Sequence, residues 1–337
     1  MSKNIVKRFI HSPKRIYDRK DLDKFKPLIN FDYPSVTTSK NLRNKLTINF
    51  NKKKTSLTYG CTDPCAVVHM SKYLDTIYVS GWQTASLSAT DNVVGPDFAD
   101  YPHDSVPNLV NRLFKAQMFH STKYQKDIMS PIIADADTGH GGITSMMRMT
   151  NNFIEAGVSG IHIEDQRHGV KKCGHMGGKV LVPTGTMIKN LKAARLAADI
   201  ADVPLIILAR TDANAAKLIT NDHDDNDRPF LTGERSPEGF YYVKAGIDQA
   251  ISRGLAYAPY SDLIWCETAT PNLEEAKKFA DAIHKKFPGK LLAYNCSPSF
   301  NWKKHLSDEE IASFQQEISK MGYKFQFITL AGFHTQN

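Results

Sequence analysis

From about residue 55 onward, short unbroken apolar runs alternate with longer stretches whose apolar residues recur at helical spacing. The runs are TSLTYGCT, TIYVSG, PIIADAD, GIHIED, PLIILART, DLIWCET, LLAYNCS and KFQFITLAG. They mostly lack polar alternation, as strands buried on both faces should. Between them, Met187, Leu191, Ala194, Ala198 and Ala201 repeat at i, i+4, i+7, i+11 and i+14. Ala276, Phe279, Ala280, Ile283 and Phe287 form a second stripe, with Asn272 as its N-cap and Glu275 three residues on. Ser307 with Glu310 is a capping box ahead of Ile311, Phe314, Ile318 and Met321.

Eight strands alternating with helices predict an α/β fold of the (β/α)8 TIM-type barrel class. An open doubly wound sheet would alternate too, and the polar residues separate the two. Asp135 and Asp137, Glu164, Arg210, Glu267, Asn295, Ser297 and Thr329 all fall at or just past the C-terminal ends of successive strands, where a barrel builds its active site. The pattern runs out at Asn337, a few residues past the eighth strand, so no eighth helix is among the expected elements. The expectation is that a partner subunit covers the strand face so exposed, or that the chain is a shortened version of a longer protein.

Charge divides the chain in two. The net charge of +8 invites a nucleic-acid or membrane-surface reading. Yet residues 1–54 carry 15 Lys/Arg against 4 Asp/Glu, and the rest carries 28 against 31. The expected organisation is therefore a basic leader and extension over 1–54 and a catalytic barrel over 55–337. The leader has no interleaved aromatic platform and the body is slightly acidic, which argues against nucleic acid. No run of about 18 apolar residues offers a membrane span. Met1–Tyr17, with Lys3, Lys7, Arg8, Lys14 and Arg15 and no acid, has the composition of a short mitochondrial presequence or of a solvated basic arm. Five cysteines, an odd number without a regular framework, point to a reducing intracellular compartment. Cys61 and Cys65 lack the second ligand pair a zinc site needs.

Three groups of residues carry chemistry. The segment Asp135-Ala-Asp137-Thr-Gly-His-Gly-Gly142 sets two acids at a strand end before a glycine-rich loop, and period two places both carboxylates on one side. Joined by Glu164 and Asp165 from the next strand, they suit a hard cation such as Mg²⁺ that keeps several waters. The alternative is that these acids cap helices or pair with Arg148 or Arg167. In Lys171-Lys172-Cys173-Gly174-His175, the flanking charges put the cysteine in positive potential and favour a reactive thiol over a small core residue. Arg210, directly after an apolar strand, fits a bidentate carboxylate clamp. Asn295, Ser297 and Ser299 can donate to a second carboxylate, although Ser-Pro-Ser also suits an ordinary turn. Ser80-Gly81-Trp82-Gln83 offers backbone N–H groups to an anion. Together these groups fit cleavage or condensation of a carbon–carbon bond in a small polycarboxylate.

The blocks KKCGHMGGKVLVPT, YVSGWQ, ADADTGHGG, HIEDQ, ARTDA, LIWCETATPN, YNCSPSFNW and QFITLAGFH resemble the isocitrate lyase family, within the isocitrate lyase/phosphoenolpyruvate mutase superfamily, from about Lys14 to the last residue. The resemblance implies a (β/α)8-type barrel and a homotetramer. It implies Mg²⁺-dependent retro-aldol cleavage of isocitrate to succinate and glyoxylate in the glyoxylate cycle, with Mn²⁺ as a possible substitute ion. Carried over by position, Asp135 would ligate the metal directly, and Asp97, Asp137 and Glu164 would hold its waters. Ser80, Gly81, Trp82 and Arg210 would grip the glyoxylate half. Asn295, Ser297, Ser299 and Thr329 would hold the succinate carboxylates, with Gly174, His175 and Glu267 nearby. Cys173 resembles the proton donor to the succinate carbanion, with Lys171 beside it, and Tyr78 the base for the substrate hydroxyl. The family continues past the LAGFH block into helices exchanged with a neighbouring subunit, which this sequence lacks. It also lacks a long insertion found in many eukaryotic members and has only the short 222–237 connection. Cytoplasm, mitochondrion and glyoxysome are all compatible addresses. A 2-methylisocitrate lyase, differing by one substrate methyl, and a shortened non-catalytic paralogue are the alternatives.

Overall fold

A computed structural model describes residues 12–29, 31–89, 98 and 100–335. Eight parallel strands close into a barrel: β1 Ser56–Gly60, β2 Thr76–Val79, β3 Ile132–Asp135, β4 Gly160–Glu164, β5 Ile206–Thr211, β6 Leu263–Cys266, β7 Leu291–Asn295 and β8 Tyr323–Ile328. Each strand pairs with its neighbours in sequence, and β8 closes on β1 with Ser56 opposite Phe325. Every one of the eight apolar runs is a barrel strand.

Strand alternation sorts the side chains into two apolar clusters. Ile207 and Ala209, Ile264 and Cys266, and Leu292 and Tyr294 face outward into the layer beneath the helices. Ile206 and Leu208, Leu263 and Trp265, Leu291 and Ala293, and Phe325 and Phe327 fill the barrel's interior. The next inward positions are no longer apolar: Arg210, Glu267, Asn295 and Thr329 continue the same parity at the strands' C-terminal ends.

The two predicted helix starts are realised. Asn272 accepts from the backbone N–H of Glu274 and Glu275, ahead of helix Leu273–Lys286. Ser307 and Glu310 form the capping box of helix Asp308–Lys320. The stripe beginning at Met187 lies on helix Thr184–Ile200, with Met187, Leu191, Ala194 and Ala198 buried.

Part of the basic N-terminal stretch is built into the barrel. Helix Pro34–Asn51 closes its N-terminal mouth, placing Leu42 and Leu46 in the interior cluster. Each buried leucine contributes roughly 1.5–3 kcal/mol. Upstream, Arg15 holds Asp199 with two hydrogen bonds, of 2.5 and 2.9 Å, and Tyr17 adds a third of 2.8 Å.

A small sheet, like helix Pro34–Asn51, is absent from the sequence reading. Strands Val180–Leu181, Leu218–Ile219, Leu231–Arg235 and Tyr241–Val243 form a small second sheet. Two of them are only two residues long, too short for any period to show.

Candidate active site

The C-terminal ends of the strands surround one cavity. Its walls include Tyr78, Ser80, Trp82, Asp135, Cys173, Gly174, His175, Arg210, Glu267, Asn295, Ser297, Ser299 and Thr329, all expected from the sequence. Trp265 and Leu330, which the sequence reading did not single out, complete it.

Four acids are expected to serve a metal, and of the three among the described residues Asp135 alone faces this cavity. One oxygen accepts from the Gly81 N–H at 3.0 Å and the other from the Asp137 N–H at 2.8 Å. The backbone N–H of Gly81 thus serves Asp135. A Cβ on Gly81 would meet Asp135 Oδ2 at 2.8 Å and the Tyr101 hydroxyl at 2.6 Å, so only glycine fits there.

Asp137 lies past the end of β3 with φ near 53°, in the left-handed region. A turn, not strand alternation, therefore sets its direction. Its carboxylate accepts from Lys171 Nζ at 2.9 Å and from Tyr101 at 3.1 Å. Burial pushes Asp137 up, but Lys171 and His140 outweigh it and hold the carboxyl well below its usual range. Glu164 sits 3.2 Å from Arg210 Nη1 and 3.9 Å from Lys171 Nζ. The cations facing these two acids are thus Lys171 and Arg210, not Arg148 or Arg167. Asp97 lies outside the described residues. Asp165 has the opposite parity and points away from the cavity, onto Arg253 and Tyr257.

Among the described residues no three His, Cys, Asp or Glu side chains are grouped to ligate one ion. The donor set still fits a hard cation. One carboxylate reaches the cavity and two more stand behind it, the arrangement of an ion that keeps most of its waters.

The loop bearing Cys173 crosses the cavity's other side. A Cβ on Gly174 would fall on Glu267 Oε1 and against Arg210 Nη2, so the loop backbone packs directly onto both side chains. His175 Nε2 stands 3.8 Å from Glu267 Oε1. Burial lowers the His175 pKa more than Glu267 raises it, which favours the neutral imidazole. Arg210 stacks on Trp265, with its guanidinium carbon 4.6 Å from the ring centre. Asp212 grips Arg210 with bonds of 2.9 and 3.0 Å. Asn295 Oδ1, Glu267 Oε2 and His175 Nε2 are buried without a hydrogen-bond partner among the described residues. Such atoms are costly unless a bound molecule meets them.

Below the cavity, the Tyr78 hydroxyl lies 2.7 Å from His162 Nε2, which is 3.3 Å from Asp135 Oδ1. Burial pushes the Tyr78 phenol well up and His162 down to about 4, so both are neutral near pH 7. At the remaining corner, Ser297 Oγ accepts from the Ser299 N–H at 3.2 Å. The Ser-Pro-Ser segment is therefore both a turn and part of the cavity wall.

The family model described as "Isocitrate lyase family" matches residues 5–238 and 232–337. The chain is 57% identical over 278 residues to the isocitrate lyase of Halalkalibacterium halodurans, covering 81% of this chain and 65% of that one. It is 55% identical over 273 residues to the enzyme of Salmonella typhimurium, covering 78% and 63%. Against isocitrate lyase 1 of Mycobacterium tuberculosis the identity is 51% over 283 residues, covering 82% and 66%. The chain thus spans just under two thirds of the length of these relatives. Among solved structures, oxaloacetate acetylhydrolase with 3,3-difluorooxalacetate superimposes with a TM-score of 0.67 at 20% identity, covering 90% of this chain and 84% of that one. A 2,3-dimethylmalate lyase does so with a TM-score of 0.59 at 20% identity, covering 92% and 82%. At that identity these two bear on the fold alone. By the family match, the chain belongs to the isocitrate lyase family.

Proposed function

We propose that this chain cleaves isocitrate into succinate and glyoxylate with the help of Mg²⁺, Mn²⁺ being a possible substitute. The observation that carries the reading is the convergence of Cys173 and His175 on Arg210, Asn295, Ser297, Ser299 and Thr329 around the Asp135 carboxylate. A proton source thus faces separate binders for more than one carboxylate. The names of the close relatives support the same substrate.

In this reading Arg210, with Ser80 and Trp82, holds the carboxylate of the glyoxylate half. Asn295, Ser297, Ser299 and Thr329 hold the succinate half. A divalent cation beside Asp135, with Asp97, Asp137 and Glu164 toward its waters, would stabilise negative charge on the substrate's oxygens. Tyr78 receives the hydroxyl proton as the carbon–carbon bond breaks. Burial keeps its phenol protonated, so it acts by passing a proton on to His162 at 2.7 Å, not as a standing phenolate. The bond's electron pair remains on the carbon beside the succinate carboxylate, and the Cys173 thiol protonates that carbon. Lys171 and Glu267 fix the charges on either side.

The test is to incubate the full chain with isocitrate, with and without Mg²⁺, and to follow glyoxylate. Metal-dependent glyoxylate release is expected, with kcat/KM higher for isocitrate than for 2-methylisocitrate. Preference for the methylated substrate would reassign the enzyme, since one methyl is worth only about 1–3 kcal/mol in a pocket. A folded chain that turns over neither substrate would leave the non-catalytic reading.

We further propose a homo-oligomer, a tetramer by family resemblance. Its support is Leu57 on the outer face of β1, an apolar side chain 41% exposed that a partner subunit would cover. Size-exclusion chromatography of the full chain tests it. Cys61, Cys65, Cys266 and Cys296 stand as thiols outside any disulfide, which supports a reducing intracellular compartment.

A further inference from the structure

The loop from Lys171 to Lys179 carries Cys173, and a buried lysine pins it at each end. Lys171 binds Asp137 Oδ2 at 2.9 Å at the first end. At the other, Lys179 binds Asp212 Oδ1 at 2.8 Å and reaches back to donate to the Gly174 carbonyl, one residue from Cys173. Between them, no atom of the described residues lies within 4 Å of where a Cβ would stand on Gly177 or Gly178.

Asp212 is fully buried and serves two cations at once. The same carboxylate that holds Lys179 takes the guanidinium of Arg210 through Nε and Nη2. Asp212 is itself fixed from behind, because its backbone N–H donates to Asp165 Oδ1 at 2.9 Å. Asp165 accepts from Thr211, Arg253 and Tyr257 at 2.7 to 2.9 Å. Arg253 continues the brace to Asp227, which accepts the N–H and hydroxyl of Thr184. No member of this brace behind Asp212 borders the cavity.

We propose that Asp212 and Lys179 are positioning residues that hold the Cys173 loop in register with the carboxylate-binding Arg210. The proposal rests on the reading of Cys173 as proton donor and Arg210 as substrate clamp. One carboxylate sets the distance between the group that anchors the substrate and the loop that delivers the proton. A displacement of about 1 Å between such groups can cost on the order of 100-fold in rate.

The experiment compares full-length wild type with Lys179→Met and Asp212→Asn. It reads steady-state cleavage of isocitrate with Mg²⁺, the rate of Cys173 alkylation by iodoacetamide resolved by peptide mass spectrometry, and thermal unfolding. Lys179→Met leaves Asp212 paired with Arg210. It should lower kcat by about 10- to 100-fold with little change in KM, and raise the alkylation rate of Cys173 several-fold. Asp212→Asn frees both cations and should also raise KM. If Asp212→Asn does not fold, Lys179→Met decides alone. Wild-type kcat and wild-type alkylation in Lys179→Met overturn the proposal, as does a loss of rate that only tracks the folded fraction. Should wild type fail to cleave isocitrate, the functional reading falls, while the alkylation contrast still decides whether Lys179 holds the loop.

Discussion

The two ends of this barrel are made from the same strands in the same register, yet their buried carboxylates are partnered differently. At the N-terminal end, Asp262 is met by Arg195 at 2.5 Å, by the Ile207 N–H at 2.9 Å and by Arg43 at 3.0 Å. Leu42 and Leu46 from helix Pro34–Asn51 fill the space above. At the C-terminal end, Asn295, Glu267 and His175 each keep a buried atom with no hydrogen-bond partner among the described residues. Alternation delivers both outcomes on β5 to β8: the interior Ile206, Leu208, Leu263, Trp265, Leu291, Ala293, Phe325 and Phe327 give way at the same parity to Arg210, Glu267, Asn295 and Thr329. A native interior leaves few polar atoms unpaired; some lie at the N-terminal end too, Arg195 Nε among them, but those of Asn295, Glu267 and His175 gather around one cavity, where a ligand would meet them.

The sharpest way to separate the two ends is to damage each and read both rate and stability. Cys173→Ser should lower kcat by about 1,000-fold, or roughly 4 kcal/mol of barrier, because a hydroxyl is a far weaker acid than a thiol. Its melting temperature and Mg²⁺ binding should stay at the wild-type values. Near-normal turnover would remove Cys173 from its role. Leu46→Ala should do the reverse, costing about 3 kcal/mol of stability through the cavity it leaves. Its kcat per folded molecule should be unchanged, as denaturant unfolding and assays at matched folded protein would show. A loss of kcat there would mean that the plug helix shapes the site, and the contrast between the ends would fail.

Much of this division can be read in the sequence, for a specific reason. The eight strands are dense apolar runs, and Arg210, Glu267, Asn295 and Thr329 continue their strands' inward parity, so the period that predicts Leu208 inside also predicts Arg210 inside. Where the chain leaves that period, the reading loses its footing. Asp137 reaches its place through a left-handed turn, and Asp165, beside Glu164, takes the outward parity. Trp265 reads as one more core aromatic until Arg210 is seen stacked upon it. The pairing of Lys179 with Asp212 joins residues 33 positions apart, and no local spacing announces it. Helix Pro34–Asn51 was hidden by charge, since Leu42 and Leu46 are the only leucines it buries within a segment otherwise read as a basic extension.

A smaller test acts within the functional end. Arg210→Lys keeps the charge but loses the fork that binds Asp212 at two points and stacks on Trp265. The expected outcome is a kcat/KM lower by about 10- to 100-fold, or roughly 2 kcal/mol, and an unaltered requirement for metal. Full activity would show that charge alone suffices at this position.

The smallest effect belongs to the opposite end and depends on pH. Burial pushes Asp262 up, but Arg195, Arg43, the Ile207 N–H and Lys290 together hold it below the ordinary aspartate value. A carboxyl whose folded pKa is lowered stabilises the protein above its unfolded pKa, about 3.9, and loses that contribution as pH falls through the folded value. Arg43 is the partly exposed member of the set, at 30%, so solvent screens it and Arg43→Met should cost no more than about 1 kcal/mol at pH 7. If the loss is electrostatic, the gap between wild type and variant in melting temperature should be largest between pH 5 and 8. It should shrink as pH falls through the folded pKa of Asp262, which lies below the ordinary aspartate value. A gap constant from pH 3 to pH 8 would assign Arg43 a packing role. The fully paired carboxylate would then owe its depressed pKa to Arg195 and the Ile207 N–H.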